Sequence, residues 1–494
     1  MAGIGFKFRD AVASGNSLAA IKGYLYSAVF AAGPWMMTMV VITVLSAFAP
    51  PEADGAAITI FRAALSYIYA FSLVIAGTFQ LPITRCVADK IYEKNPGEII
   101  SVFAGSNYLF CIISMVIGSI FLHFNTGPAV FKLFCLLIFV TVTLIWNCMS
   151  FLTAIRDYKF IIFIFFSGSV LTVLLCVFLK KYYGITGYAA GYLIGQIYIF
   201  SGAAFEIIRE FNFDAGAKFI FLRYINKYLA LFIGGLFYNI AMWADKIIIW
   251  SGGCGEVYYG NIKVYGRYDV AVFTACLTII PAMSYFLVKI ETDFYTLYKK
   301  YFSLILSRAE LESIEQCRDE IIKVVENSIM SLFKLQSLII FAGFVWSAPI
   351  CSFLGNLKGL EIFQLALVAV LFHILYLFCT IFMMYFEFYR SYLVTAFSFL
   401  ILNSALTYFA AARGANPVSG YFISTVICFF GTFFLTKFNL KYLLYYTFFS
   451  QPIIIEMPKN ITFDTLKFLE SEKYFNISPA EKYKEVDIDA VEKA

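Results

Sequence analysis

LEIFQLALVAVLFHILYLFCTIFMMY, residues 360–385, contains no lysine or arginine and only one acidic residue, Glu361, at its edge. A helix rises about 1.5 Å per residue, so this run is long enough to cross about 30 Å of hydrocarbon. It has no polar face to turn toward water, which marks it as a membrane span. Eleven further apolar runs of similar kind stand at 25–49, 63–84, 100–124, 133–155, 160–179, 187–205, 228–250, 270–288, 331–353, 392–411 and 418–438. The expectation is an all-α polytopic membrane protein of about twelve transmembrane helices.

Composition agrees. Hydrophobic residues make up 61% of the 494 and charged residues 14%, against roughly 45–50% and 25% in soluble domains. Twelve spans leave no room for a large soluble domain. The 56 Phe and 34 Tyr suit an aromatic-lined sugar path, although lipid-facing helix surface uses Phe without any function. The 11 Cys show no C-x-x-C or Cys-to-His spacing, and only His123 and His373 occur, so neither a metal centre nor a catalytic histidine cluster is expected. The net charge of +5 is spread over loops instead of one basic stripe, which argues against nucleic acid as a partner.

Basic residues fix the expected orientation, because cytoplasmic loops retain Lys and Arg. With the N-terminus inside, the inner segments carry most of them, including Arg85, Lys90, Arg209, Arg223, Lys300 and Arg318, while the outer side holds Lys180, Lys181, Lys263, Arg267, Lys358 and Arg413. Both termini are expected in the cytoplasm. The first run, preceded by Lys7, Arg9 and Lys22 and followed by Pro50-Pro51, mimics a secretory signal but exceeds its 7–15-residue apolar core, so retention is expected.

The chain divides into an N-terminal six-helix bundle (1–205), a cytosolic linker (206–227), a C-terminal six-helix bundle (228–449) and an acidic cytosolic tail (450–494). Weak internal likeness supports two repeats: Gln80-Leu81-Pro82 and Ile280-Pro281 end spans two and eight, and Gly187-Tyr188 and Gly420-Tyr421 open spans six and twelve. Between spans eight and nine, Leu311, Ile314, Ile321 and Val325 recur at helical spacing among charges, predicting an amphipathic helix that extends span nine or docks a partner.

No G-x-x-x-x-G-K-[ST] run exists to cradle a nucleotide phosphate, and the sole Asp-x-Asp, Asp487-Ile488-Asp489, lies in the tail without a domain around it. The chain therefore does not read as an enzyme, and no catalytic residue, metal or cofactor is assigned. Charges inside spans carry more information, since each costs roughly 2.5–3.5 kcal/mol or more at the bilayer centre unless paired or facing water. Asp245-Lys246, flanked by Trp243 and Trp250, is the clearest case, and Arg62 is the next. With Gln80 and Asn239 they form the candidate substrate pathway: polar groups to bond sugar hydroxyls and aromatic faces to stack on sugar rings. A structural ion pair or interhelical hydrogen bond is the alternative for each. Gly33-Pro34 in span one and Pro281 in span eight are expected to kink their helices.

The segments Met1–Phe6, Gly23-Tyr24-Leu25-Tyr26 leading to Gly33-Pro34-Trp35, Tyr69-Ala70-Phe71-Ser72, Tyr238–Lys246 and Thr278-Ile279-Ile280-Pro281 with Glu291-Thr292-Asp293-Phe294 closely resemble the PelG family. Its members are membrane exporters of Pel exopolysaccharide systems, within the multidrug/oligosaccharidyl-lipid/polysaccharide flippase superfamily. The likeness runs through most of residues 1–438 and not into the tail. It implies two six-helix bundles and export of an N-acetylgalactosamine-rich polysaccharide. The implied partners are a PelF-like cytosolic glycosyltransferase and PelD- and PelE-like membrane proteins, with cyclic-di-GMP sensed by PelD. On the same footing, Glu291 and Asp293 become candidates for docking the glycosyltransferase. A cation-coupled lipid-linked oligosaccharide flippase or drug antiporter, using Asp245 as the coupling carboxylate, and a non-conducting scaffold are the rival readings.

Overall fold

The computed structural model describes residues 55–93, 96–155, 158–211, 219–253, 255–259 and 262–449, with seven isolated positions between 23 and 45. The kink expected at Gly33 and Pro34 and the tail 450–494 lie outside the described residues. Helix α1 spans Gly55–Tyr92, α2 Gly97–His123, α3 Ala129–Leu152 and α4 Tyr158–Glu210. After a short helix α5, Phe221–Lys227, comes α6, Leu229–Ser251. Ten helical segments among the described residues are long and apolar enough to cross a membrane.

One of them, Lys159–Glu210, has 52 residues, about twice what a bilayer needs. It is two spans. Gly184, with φ 54° and ψ −128°, reverses the chain in a conformation that suits glycine. The two halves of α4 then pack antiparallel with glycines at the seam: Gly187 lies against the Leu179 backbone, Gly191 against Cys176 and Gly195 against Thr172. Four-residue spacing puts these glycines on one helix face, so the backbones approach closely enough for dispersion contacts to replace the hydrophobic drive that lipid does not supply. The ten segments thus supply eleven spans, and the run at 25–49, expected as one more, falls almost wholly outside the described residues.

Between spans seven and eight stands a short antiparallel ribbon that the sequence reading did not anticipate, β1 (Glu256–Tyr259) paired with β2 (Ile262–Val264). Span eight is broken into α7 (Gly266–Leu277) and α8 (Ile279–Tyr285), a π-helical turn at Phe286–Ile290, and α9 (Glu291–Leu306). The interruption falls at Thr278, whose N–H bonds Ala275 O at 3.1 Å. Pro281 three residues on has no N–H to return to the Leu277 carbonyl, so a break at this place has a local cause.

Helix α10 runs Leu311–Val345, so the amphipathic stretch extends span nine. Ile314, Cys317, Ile321 and Val325 are buried in the same core as Tyr301 of α9, while Leu311 is exposed. Short α11 (Ser347–Phe353) precedes α12 (Leu360–Tyr385), α13 (Tyr389–Ala412), α14 (Ser419–Lys441) and α15 (Leu443–Phe448). Helix α12 lies within the second bundle, with Ala366, Leu367, Val370, Ile374 and Phe378 fully buried. Protein on every side explains why its sequence is apolar all round.

One core is built from residues between Ala241 and Leu443, and a second from residues between Ala76 and Phe221. A third, between Val41 and Leu193, also takes in Trp243, Trp250, Ile262 and Val264, so α6 and the β-ribbon join the two halves. Leu174, Phe178, Phe341 and Phe434 are more than half exposed on the outer surface of their spans. Such a surface is stable only against lipid.

Candidate functional site

Helix α6 carries the site. Asn239, Trp243, Lys246 and Trp250 recur at four-, three- and four-residue steps and so share one stripe. At its start, Gly235 lies against the backbone of α1, where a Cβ would stand 2.8 Å from Gly77 O. Asn239 packs on Gly77 and donates Nδ2 to Gly235 O at 2.8 Å, which places it in the helix crossing.

Two turns further on, Asp245 is fully buried and Lys246 is 5% exposed. Neighbours in a helix point about 100° apart, yet the lysine stem curls back. Its Nζ donates to both Asp245 carboxylate oxygens at 3.2 Å and to Met242 O at 3.1 Å. The ammonium also sits 5.5 Å from the Trp243 ring and 6.0 Å from that of Tyr421. Tyr268 OH of α7 donates to Asp245 Oδ2. The carboxylate is thus neutralised by its own neighbour and hydrogen-bonded across helices, the arrangement a buried charge requires.

A second carboxylate adjoins it. Asp269, in the first turn of α7, accepts from Trp250 Nε1 at 3.0 and 3.1 Å. The first turn of a helix is a favourable place for an anion. Arg62, half-buried on α1, and Lys246 both lie within electrostatic reach of Asp269. Two acidic and two basic side chains from α1, α6 and α7 thus gather in one region.

The structure brings Trp243, Asp245, Lys246 and Arg62 to one region. It leaves Gln80 exposed, about 27 Å from Arg62 along α1 at helical rise. Spacing does not point to Lys246 as the partner of Asp245, because adjacent helical residues ordinarily diverge. Asp269 is missed because the apolar run begins one residue later, at Val270. The buried indole N–H of Trp250, which needs an acceptor, was the available signal.

The two docking candidates, Glu291 and Asp293, differ in exposure. The helix does not stop after span eight but continues, and it turns Glu291 inward to 2% exposure, where Tyr385 OH donates to Oε1 at 2.5 Å. Asp293, two residues on, is exposed. Glu291→Ala should lower membrane abundance, since stranding the Tyr385 hydroxyl costs about 1–3 kcal/mol. Asp293→Ala should not. Quantitative blotting of membranes reads both, and equal abundance of the two variants would remove the structural role of Glu291.

The spans of the described residues, joined between the two halves through α6, have the fold of MATE and MOP superfamily transporters. The crystal structure of MATE in the straight conformation superposes with a TM-score of 0.60 at 11% identity, covering 88% of this chain and 97% of that one. MATE in the bent conformation gives 0.58 at 14%, covering 89% and 98%. A MOP superfamily transporter from Pyrococcus furiosus gives 0.56 at 14%, covering 85% and 94%. Among curated proteins none matches the sequence. Residues 1–448 match the family described as "PelG: Putative exopolysaccharide Exporter (EPS-E)", and the chain belongs to that family.

Proposed function

We propose that the chain exports Pel, an N-acetylgalactosamine-rich polysaccharide, across the bacterial inner membrane, passing the growing polymer between its bundles. A PelF-like cytosolic glycosyltransferase extends the polymer, and PelD- and PelE-like membrane proteins assemble with the chain. The observation that carries this reading is the family match over residues 1–448, which takes in every span among the described residues. A neutral polymer gains nothing from the membrane potential, so chain extension by the synthase supplies the push.

The state of Asp245 supports this reading over ion coupling, because the carboxylate that a cation-coupled antiporter would use is already held by Lys246 and Tyr268. Cells that make the synthase and its membrane partners without this chain should retain polymer and secrete none, and restoring the chain should restore secretion. Unchanged secretion without it would overturn the proposal. Dependence of transport on an imposed ion gradient would favour the antiporter reading. Intact export in variants wedged apart or sealed between the bundles would favour the scaffold.

The basic loops support both termini in the cytoplasm. A phosphatase reporter that works only outside the inner membrane should be active when inserted at Gly253, beside the β-ribbon, and silent at Arg308, between α9 and α10. Activity at Arg308 would invert the topology.

A further inference from the structure

Helix α1 of the first bundle meets the second bundle at three levels. Near its outer end Tyr67 OH donates to Lys263 O at 2.8 Å, and the Tyr67 ring lies 4.8 Å from Trp250. At mid-length the contact has no side-chain spacing at all, as Gly77 and Gly235 put backbone against backbone. Near the inner end Arg85 reaches across to the turn between α12 and α13. Its Nη2 donates to Met384 O at 3.1 Å, Nη1 is 3.6 Å from Glu387 Oε1, and the guanidinium sits 5.5 Å over the Tyr389 ring.

We propose that Arg85 and Glu387 form a latch that holds the cytosolic mouth between the bundles shut in this state and releases when polymer enters, the bundles pivoting at the Gly77–Gly235 crossing. This rests on the transport reading and the orientation given above. The outer contacts are aromatic, with one hydrogen bond and with Arg62 of α1 within electrostatic reach of the buried Asp269. The crossing is a fixed backbone contact. The inner contact alone joins charges in partial contact with solvent, the side chains of Arg85 and Glu387 being 30% and 51% exposed. Exposed pairs of this kind are weak and make and break readily, as a latch needs and a permanent tie does not.

The backbone supplies a second, independent observation. Glu387 has φ 60°, a left-handed conformation that closes helix α12 and that L side chains adopt at a cost. The same turn after α11 and α13 uses Gly355 and Gly414, the usual residue for that position. Of the two side chains that occupy it among the described residues, both exposed, Arg308 stands between α9 and α10 and Glu387 stands against Arg85 of the first bundle. At Glu387 this conformation brings the carboxylate to 3.6 Å from Arg85 of the first bundle.

This gives a clean test, because Glu387→Gly suits the turn and removes only the side chain. Full-length wild type, Glu387→Gly and Arg85→Gln are placed in lipid nanodiscs, and backbone hydrogen exchange is followed by mass spectrometry. Both variants should exchange about fivefold faster at the inner end of α1 (85–92) as well as at the 383–390 turn, the shift in local opening expected from losing an exposed pair. The outer segments around Tyr67 and Lys263 should not change. Wild-type exchange at 85–92 in both variants, or acceleration confined to the turn, would overturn the latch. Polymer secretion is scored separately in cells, so loss of the transport reading would leave the exchange result standing.

Discussion

Replacing Lys246 by Met is expected to cost about 3–5 kcal/mol and to strip most of the protein from the membrane, because it leaves the Asp245 carboxylate buried without its cation. The retained Tyr268 hydroxyl offsets only part of that, since a single neutral hydrogen bond does not replace a counter-charge. Asp245→Asn should fail for the mirror reason, stranding the ammonium with two aromatic faces and the Met242 carbonyl as its remaining partners. The double variant Asp245→Asn with Lys246→Met removes both charges and should recover much of the loss. Membrane abundance and thermal unfolding of the purified protein read these outcomes, with secreted polymer measured beside them. Wild-type abundance in both single variants would show that the pair is not structural. Normal abundance with lost export in Asp245→Asn alone would instead put the carboxylate in the transport path and revive ion coupling.

The spans were legible because a bilayer enforces a simple rule: a helix facing lipid or other helices carries no charge over about 20 residues. Helix α12 obeys it on every face, and its boundaries at residues 360 and 385 coincide with those of the apolar run. The rule fails where polarity and helix continue together. Residues 291–306 look like a loop, yet α9 is helical there because its apolar face meets that of the amphipathic first half of α10. Tight turning is equally hidden: the apolar runs stop at 179 and resume at 187, while the chain stays helical to Gly184 and reverses there.

The site was legible in its residue types and not in its partnerships. Asp245, Lys246, Trp243 and Arg62 stand out because ionisable groups in an apolar run demand an explanation. Which charge neutralises which depends on helix rotation and on the reach of a four-carbon stem, and neither is encoded in spacing. The burial of Glu291 is likewise hidden from spacing, since only the continuing helix turns it against Tyr385.

The second large effect concerns the α4 hairpin. An ideal Cβ at Gly191 would stand 2.5 Å from the Cys176 amide nitrogen and 2.7 Å from the Leu175 carbonyl carbon. These are backbone atoms of the facing helix, so no rotamer change relieves the clash and the two halves must separate. Overpacking of this kind costs about 1–3 kcal/mol for one methyl group, and Gly191→Leu should exceed that by forcing apart Gly187 and Gly195 as well. Gly431 on α14 is the control. It is exposed, with no atom within 4 Å of the place an added methyl group would take, so Gly431→Ala should be neutral or stabilise by about 0.5–1 kcal/mol through helix propensity. The measurement is again membrane abundance with thermal unfolding in detergent, for Gly191→Ala, Gly191→Leu and Gly431→Ala. A graded loss through the two Gly191 variants, with Gly431→Ala unharmed, would establish that spans five and six hold together by backbone contact. If Gly191→Leu matched Gly431→Ala, the seam would not be where the hairpin gets its stability.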